Sequence, residues 1–311
     1  DAAAVTPDDL TALAPHIPES VRELVEQDDP TLDDDVSTWF DPSCDLPKLM
    51  LLGPLTVRVA PTGTPTAAVD RKPYFSELLA FLATRPHGAT TEEVADAMGI
   101  PSGRVRKDVL ALRTWLGVNP RTGRPHVPDS RQTAAASVRG RAAYQVEDLL
   151  VDADLFRRLR ARGEARGSAG LDDLRRALSL VSGTPFGQLR RNGGTWLSEG
   201  QRLDQVLLCS IVDVAHLVTT ASLALGDHAA AQEAAQLAVR VAPAEETAQL
   251  DLAAALASQG HHRAAEQLLR ENVFDRSDDE DEAPTEIPAR TEQIIDNNPK
   301  WLARRSTRAS A

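Results

Sequence analysis

The sequence predicts a mainly α-helical protein with a small β component. Aromatic residues make up only 4% of its 311 residues, so the hydrophobic cores rest on Leu, Ala and Val, which favours helices. Residues 48–60 have the Leu and Val content of a strand, and residues 55–59 alternate apolar and polar side chains with the period of two that is expected of a half-buried strand. Residues 154–272 contain one amphipathic helical pattern after another. We therefore expect a small mixed domain followed by an all-helical domain.

The formal net charge of −12 is distributed unevenly and divides the chain into four segments. We predict an acidic N-terminal arm or linker at 1–47, a basic domain at 48–150, a helical domain at 151–272 and an acidic linker or tail at 273–311. The arm carries 13 acidic residues and one arginine, whereas the basic domain carries 14 basic and nine acidic residues. Attraction to a polyanion therefore has to be judged for each domain separately.

The arm contains one predicted short helix, at residues 18–27. The stretch at 28–47 that follows is acidic, contains proline and is poor in apolar residues, which is typical of a disordered, solvated tether. The alternative is an arm that competes with nucleic acid for the basic domain.

The basic domain begins with a predicted hairpin and continues with three helices. The strand at 48–60 is followed by a turn rich in Pro and Gly and by a short return strand at 67–70. The helices are predicted at 72–86, 90–99 and 101–117. The middle helix has clear boundary signals, because Thr90 or Thr91 can cap its start and Gly99 suits its end.

The third helix combines a buried stripe with a basic outer face. On a helical wheel, four apolar residues fall on one narrow arc: Val105, Val109, Leu112 and Leu116. The opposite side mixes long cations with small residues. Such a face can approach a groove of double-stranded DNA closely, while its cations reach phosphates or guanine edges. The candidate contact residues are Arg104, Arg106, Lys107, Arg113 and Thr114. The alternative is an ordinary solvated basic face.

A basic hairpin, or wing, is predicted after the third helix. Residues 125–128 and 142–147 are expected to form its two strands, and the stretch between them is low in large apolar residues and expected to be mobile. A basic hairpin beside a helix-turn-helix pair can hold the DNA backbone next to a groove. The candidate contact residues in this region are Arg121, Arg124, Arg139 and Arg141.

The helical domain contains an internal repeat with an offset of 34 residues, the period of tetratricopeptide (TPR) helix pairs. The aligned positions are Gly226 with Gly260, His228 with His262, and Ala230 with Ala264. The glycines are expected to end a helix and permit the turn, the histidines to lie in that turn, and the alanines to offer small faces for helix contacts. Stacked helix pairs leave a concave surface for partners.

The order of hairpin, three helices and wing resembles the OmpR-type winged helix. The segment VLALRTWLG at 109–117 is similar to the end of the third helix in the SARP/AfsR group of actinobacterial regulators. The segment at 144–163, YQVEDLLVDADLFRRLRARG, is similar to the junction with the next domain of that group. The resemblance implies a winged helix-turn-helix domain joined to a TPR-like bacterial transcriptional activator domain.

Two further segments resemble the activator domain of the same group. Residues 175–189 are similar to its ALALWRGxPLADL pattern, with Val181 in place of the tryptophan. The W-x-x-E-x-x-R-L pattern is present as Trp196, Glu199, Arg202 and Leu203. From the residues alone, the first three are interpreted as a structural tie between helices. The resemblance implies a DNA-binding transcriptional regulator whose helical domain mediates dimerisation or contact with RNA polymerase.

The sequence contains no pattern that supports catalysis. It has no phosphate-binding loop ending in GKS or GKT, and no Ser-His-Asp or Cys-His arrangement with local support. His261 and His262 lack a third metal ligand at a suitable spacing. Cys44 and Cys209 lie far apart and show no metal-type spacing, which fits a reducing cytoplasm. We therefore predict a protein that is not an enzyme and uses no cofactor or metal.

Location and partners follow from the same observations. No apolar run approaches the roughly 20 residues that span a bilayer, so we expect no direct membrane contact from this segment. The chain starts without methionine, and we interpret it as a piece of a longer protein. The predicted location is the cytoplasm, including the cytosolic portion of a membrane-anchored parent. The predicted partners are double-stranded DNA and, through the helical domain, RNA polymerase, another protein or a second copy of the chain.

Two other hypotheses remain open at this point. The chain could be a protein-interaction module, the cytosolic part of a larger envelope-associated protein whose winged helix has lost DNA binding. Residues 1–47 could also autoinhibit DNA binding by covering the basic domain.

Overall fold

The computed structural model describes residues 29–59, 71–198 and 200–274, with isolated positions near the two ends. The described chain is mainly α-helical with one small three-stranded sheet, which confirms the predicted fold class. The predicted return strand of the hairpin, nearly all of the predicted N-terminal helix and nearly all of the predicted acidic tail lie outside the described residues.

The described chain forms two compact units. Residues 29–158 and 180–207 make up the N-terminal unit, and residues 159–179 and 208–274 belong to the helical unit. Residues 180–207, which the sequence analysis placed in the helical domain, therefore pack with the N-terminal unit.

The acidic arm contains a helix, α1 (Leu32–Phe40), where a disordered tether was expected. That expectation is wrong for these residues, because Leu32 and Val36 lie one turn apart and are both buried. Three aspartates occupy the first turn of α1, where the helix dipole favours negative charge.

Arg158 fixes the start of α1 within the N-terminal unit. Its guanidinium lies 2.7 Å from a carboxylate oxygen of Asp29 and 2.9 Å from one of Asp35. Hydrogen bonds to these carboxylates raise the pKa of Arg158. The carboxylates of this part of the arm thus have a partner away from the predicted DNA-contact helix.

The sheet consists of β1 (Lys48–Met50), β2 (Thr56–Arg58) and β3 (Leu150–Val151) in the order β2-β1-β3. Strands β1 and β2 are antiparallel, and β1 and β3 are parallel. The single strand predicted at 48–60 is therefore two short strands around a turn. Pro54 explains the break, since proline lacks the N–H that a ladder requires.

Asp152, directly after β3, ties the sheet to the turn after β1. Its carboxylate accepts from the backbone N–H groups of Leu51 at 2.7 Å and Leu52 at 3.0 Å. Burial raises the pKa of Asp152 to about 6, against the opposing effect of these hydrogen bonds.

The three helices predicted in the basic domain are confirmed as α2 (Lys72–Ala83), α3 (Thr91–Met98) and α4 (Ser102–Leu116). Helix α3 begins with a capping box in which Thr90 and Glu93 exchange side chain–backbone hydrogen bonds, and it ends at Gly99 with φ +63°. Three residues join α3 to α4, the short connection typical of a helix-turn-helix pair.

The predicted wing strands are not strands in the fully described range 71–198. Two isolated bridges stand in their place, Val118 with Pro125 and Ala89 with Tyr144. The stretch expected to be mobile contains a short helix, α5 (Ala134–Arg139). The β-hairpin wing is therefore a wrong prediction for these residues.

Local hydrogen bonds explain why α5 forms. The Thr133 hydroxyl accepts from the N–H of Ala136 at 3.0 Å, and it donates to the carbonyl of Ala143 at 2.9 Å. Gly140 ends the helix with φ +66°. A run of three alanines between these signals has high helix propensity, so the lack of large apolar residues does not leave the segment unstructured.

Among the described residues 71–198 and 200–274, the remaining α-helices are α6 (Asp152–Arg166), α7 (Leu171–Ser179), α8 (Leu203–Ala224), α9 (His228–Val241), α10 (Glu246–Ser258) and α11 (His262–Leu269), with 3-10 turns at Gly167–Gly170 and Thr195–Leu197 and a π-helical turn at Arg270–Phe274. Arg162 and Asp173 form a buried ion pair at 2.7 Å between α6 and α7. Gly226 and Gly260 both adopt left-handed φ values, as the repeat predicted. His228 and His262, which were expected in the turn, instead each begin a helix.

The alanines that pack in the repeat are one position away from the predicted ones. Ala231 and Ala265 are fully buried, whereas Ala230 is half-buried and Ala264 is exposed. The offset of 34 residues is kept.

Helix α8 corrects the expectation that no segment reaches spanning length. By length and composition it could cross a membrane. An 18-residue stretch of it has a mean hydropathy of 1.8, and half of that stretch is buried inside the structure. Ile211, Val214 and Ala215 are fully buried in the helical unit, as in the core helix of a helical domain.

Candidate nucleic-acid interface

Helix α4 has one face buried in the protein and the opposite face exposed. Val105 and Leu112 are fully buried and Val109 nearly so, as the wheel predicted. The exposed residues with the spacing i, i+3, i+4, i+7 and i+11 form what we call the exposed stripe: Gly103, Arg106, Lys107, Leu110 and Thr114. Its two cations, Arg106 and Lys107, lie one turn before Leu110 and flank it around the helix axis.

Arg106 and Lys107 are the open cations of this helix. Both are exposed, and among the residues the structure describes no carboxylate lies within ion-pair distance of either. Thr114 is also exposed, and its hydroxyl donates to the carbonyl of Leu110 one turn back, at 2.9 Å.

The centre of the exposed stripe was missed by the sequence analysis. Leu110 is 55% exposed, one of the few large apolar side chains that the described residues leave open. The wheel contained the signal, because Leu110 lies well outside the arc of the four buried residues.

Arg104 differs from its two neighbours because it binds a buried carboxylate of the same helix. The Asp108 carboxylate pairs with the guanidinium groups of Arg104 and Arg71, both at 3.1 Å, and accepts a hydrogen bond from the Tyr74 hydroxyl at 2.8 Å. Burial raises the pKa of Asp108, but the hydrogen bonds from Arg71 and Tyr74 outweigh it and hold the pKa below its usual value. The Asp108 cluster, as we call these four side chains, attaches α4 to α2.

Arg113 is bonded to the backbone of the following loop. Its guanidinium donates to the carbonyl oxygens of Val127, through Nε, and Pro128, at 2.7 Å from Nη2. Val127 is fully buried. Arg113 therefore fixes the segment after α4, which explains this cation without reference to a ligand.

The four arginines predicted to contact backbone are in two different situations. Arg121, Arg124 and Arg141 are exposed. Arg139 instead lies 2.9 Å from a carboxylate oxygen of Glu93. Burial raises the pKa of Glu93, but the Thr90 N–H and the Arg139 guanidinium outweigh it, so that the pKa is lowered.

Glu77, on α2, connects residues 180–207 to the rest of the N-terminal unit. Its fully buried carboxylate accepts from Arg190, from the indole N–H of Trp196 at 3.2 Å and from the N–H of Gly194. Arg190 also donates to the carbonyl of Met98, at the end of α3. Trp196 is thus a structural tie, as the sequence analysis interpreted it.

The other residues of the W-x-x-E-x-x-R-L pattern give less information. Glu199 lies outside the described residues. Arg202 pairs with Asp204 at 3.3 Å, and Leu203 is the first residue of α8.

A comparison with protein families supports the assignment of the second half of the chain. Residues 151–280 match the bacterial transcriptional activator domain. This match confirms the activator-domain part of the resemblance and supports a regulatory role in transcription; the family is not an enzymatic one. The match does not extend to α2, α3 and α4. No curated protein matches the chain significantly.

The activator-domain segment spans both structural units. It contains α6 to α11, and also the loop that carries Arg190 and Trp196. In the part of the chain that the structure describes, no three His, Cys, Asp or Glu side chains lie together in a way that could hold a metal ion.

Proposed function

We propose that this chain is a DNA-binding transcriptional regulator in which α4 enters the major groove of double-stranded DNA. The observation that carries the proposal is the exposed stripe, in which Arg106 and Lys107 stay open on the outer face of a helix-turn-helix pair. The activator-domain match of residues 151–280 supports the regulatory part.

The dimensions of the stripe suit a groove. From Gly103 to Thr114 the helix rises about 16 Å, and a B-DNA major groove about 12 Å wide admits an α-helix. The opposite face of α4 is fixed by its apolar residues and by the Asp108 cluster, so the stripe is presented on a rigid support.

Backbone contacts would come from the loops beside α4. Arg121, Arg124 and Arg141 are exposed there, and they supply positive charge without a β-hairpin wing. Arg104, Arg113 and Arg139 contribute less in this proposal, because each already binds an acceptor inside the N-terminal unit.

The helical unit serves dimerisation or contact with RNA polymerase in this proposal. The activator-domain match and the helical repeat support a partner-binding role. Regulation of this kind takes place in the cytoplasm, where the DNA is.

A protein-docking module is the second candidate, and one observation favours it. Three of the eight candidate cations, Arg104, Arg113 and Arg139, bind acceptors within the chain. The net charge of −12 also opposes binding to a polyanion. On this view, α4 presents Leu110 to another protein.

Fluorescence anisotropy with a random-sequence duplex at low salt tests the proposed function. We expect the full chain to bind, and the double variant Arg106→Ala/Lys107→Ala to bind about tenfold more weakly, since it lacks two phosphate contacts. The matched control, Arg240→Ala/Arg263→Ala, removes the same charge from exposed positions of the helical unit and should bind like the wild type. Equal affinity of the two double variants, or no binding by the wild type, would favour the protein-docking module.

A further inference from the structure

Leu110 occupies the middle of the exposed stripe, and its side chain is not part of the hydrophobic core. It is 55% exposed, and Arg106 and Lys107 lie one turn before it on the same face, with Thr114 one turn after. A singly exposed leucine is common on protein surfaces and needs no explanation by itself. What distinguishes it is that the two open cations of α4 flank it around the helix axis, one turn before it.

Gly103 is a second, independent observation on the same stripe. A Cβ atom added to it would meet nothing within 4 Å, so packing inside the protein does not require a glycine. Its φ is not in the left-handed region, so the backbone does not require one either. Glycine within a helix is less stable than alanine, and a common reason to keep it is the close approach of another molecule.

Together these residues describe a surface that fits the floor of a groove. Gly103 lets the start of α4 approach the DNA closely, and the two cations match the negative charge of the phosphates. Leu110 supplies an apolar contact beside the cations. The major groove offers one apolar group to such a contact, the C5-methyl group of thymine.

We infer that Leu110 contacts the C5-methyl group of a thymine and makes the chain prefer thymine at that position of its DNA site. This inference rests on the proposed function and adds the base that is recognised. Leu110 acts as a specificity residue, and Arg106 and Lys107 act through phosphates regardless of sequence.

Uracil substitution tests the inference directly, because deoxyuridine lacks only the methyl group and keeps the O4 acceptor. The probe is a duplex that the full chain selects from a randomised library, prepared with thymine and again with every thymine of the site replaced by uracil. We expect the wild type to bind the uracil duplex about fourfold more weakly, the value of one buried methyl group. The variant Leu110→Ala should bind both duplexes equally.

The control variant is Val138→Ala, which truncates an apolar side chain that is 79% exposed on α5. It should keep the wild-type preference for thymine. If the wild type binds the two duplexes equally, or if Leu110→Ala keeps the preference, the inference is wrong while the proposed function stands. If the library yields no bound duplex at all, both are wrong.

Discussion

The cations of the N-terminal unit fall into two groups that the sequence does not distinguish. Arg104, Arg113 and Arg139, which we call the anchored cations, bind a carboxylate or backbone carbonyls within the unit. Arg106 and Lys107 lie within three residues of Arg104 and remain open. The comparison shows that a basic segment need not be a basic surface, because some of its charges build the scaffold that presents the others.

The largest effect on stability is expected from the Asp108 cluster. Replacing Asp108 with alanine leaves the Tyr74 hydroxyl and two guanidinium groups without their shared acceptor, so the free energy of unfolding should fall by about 3 kcal/mol. Urea denaturation measures this change. Asp96→Ala, an exposed position on α3, should change it by less than about 0.5 kcal/mol. Similar losses in the two variants would show that the cluster is not an anchor.

The same cluster predicts a pH dependence. The pKa of Asp108 is lower in the folded protein than in the unfolded chain, so its carboxylate stabilises the fold fully above about pH 4. This stabilisation is lost as the pH falls through the lowered pKa. The difference in unfolding free energy between the wild type and Asp108→Asn should therefore shrink below about pH 4, and a difference that grows on acidification would contradict the assignment.

Replacing Arg113 or Arg106 with methionine, which keeps the apolar stem, should affect different properties: stability in the first case and DNA affinity in the second. Arg113→Met loses two hydrogen bonds to carbonyl groups and should lower the free energy of unfolding by about 1–2 kcal/mol, with little change in DNA affinity. Arg106→Met should leave the free energy of unfolding within about 0.5 kcal/mol and weaken DNA binding. Thermal unfolding and anisotropy on the same samples compare the two, and an equal loss of DNA affinity would remove the distinction between anchored and open cations.

The smallest effect is expected at Gly103. Because nothing in the fold requires glycine there, Gly103→Ala should raise the free energy of unfolding by about 0.5 kcal/mol while it weakens DNA binding. Gly99→Ala is the contrasting variant, since its φ of +63° makes any side chain strained, and it should be destabilised. A Gly103→Ala variant that is more stable and binds DNA as well as the wild type would exclude a close approach at this position.

The sequence was sufficient where local signals determine the structure. The apolar stripe of Val105, Val109 and Leu112, the caps at Thr90 and Gly99, and the repeat of 34 residues all describe short-range patterns, and the helices were found from them. It was insufficient where a partner comes from far along the chain. The acidic helix α1 depends on Arg158, more than a hundred residues away, so composition alone suggested a disordered tether.

The candidate site shows the same limit. The wheel placed Arg106 and Lys107 correctly on the open face of α4, but the roles of the anchored cations depend on acceptors that no spacing reveals. The acceptors of Arg113 come from a loop whose strands were wrongly predicted, and that of Arg139 from the capping box of α3. Leu110 is apolar, so a pattern defined by charge does not include it.

The salt dependence of DNA binding tests the central claim most directly. The logarithm of the association constant of the full chain should fall steeply with the logarithm of salt concentration, and the slope should be smaller by about 2 in Arg106→Ala/Lys107→Ala. The control Arg240→Ala/Arg263→Ala should keep the wild-type slope. Identical slopes for all three proteins would contradict the account, because the open cations of the exposed stripe would then make no contact with phosphate.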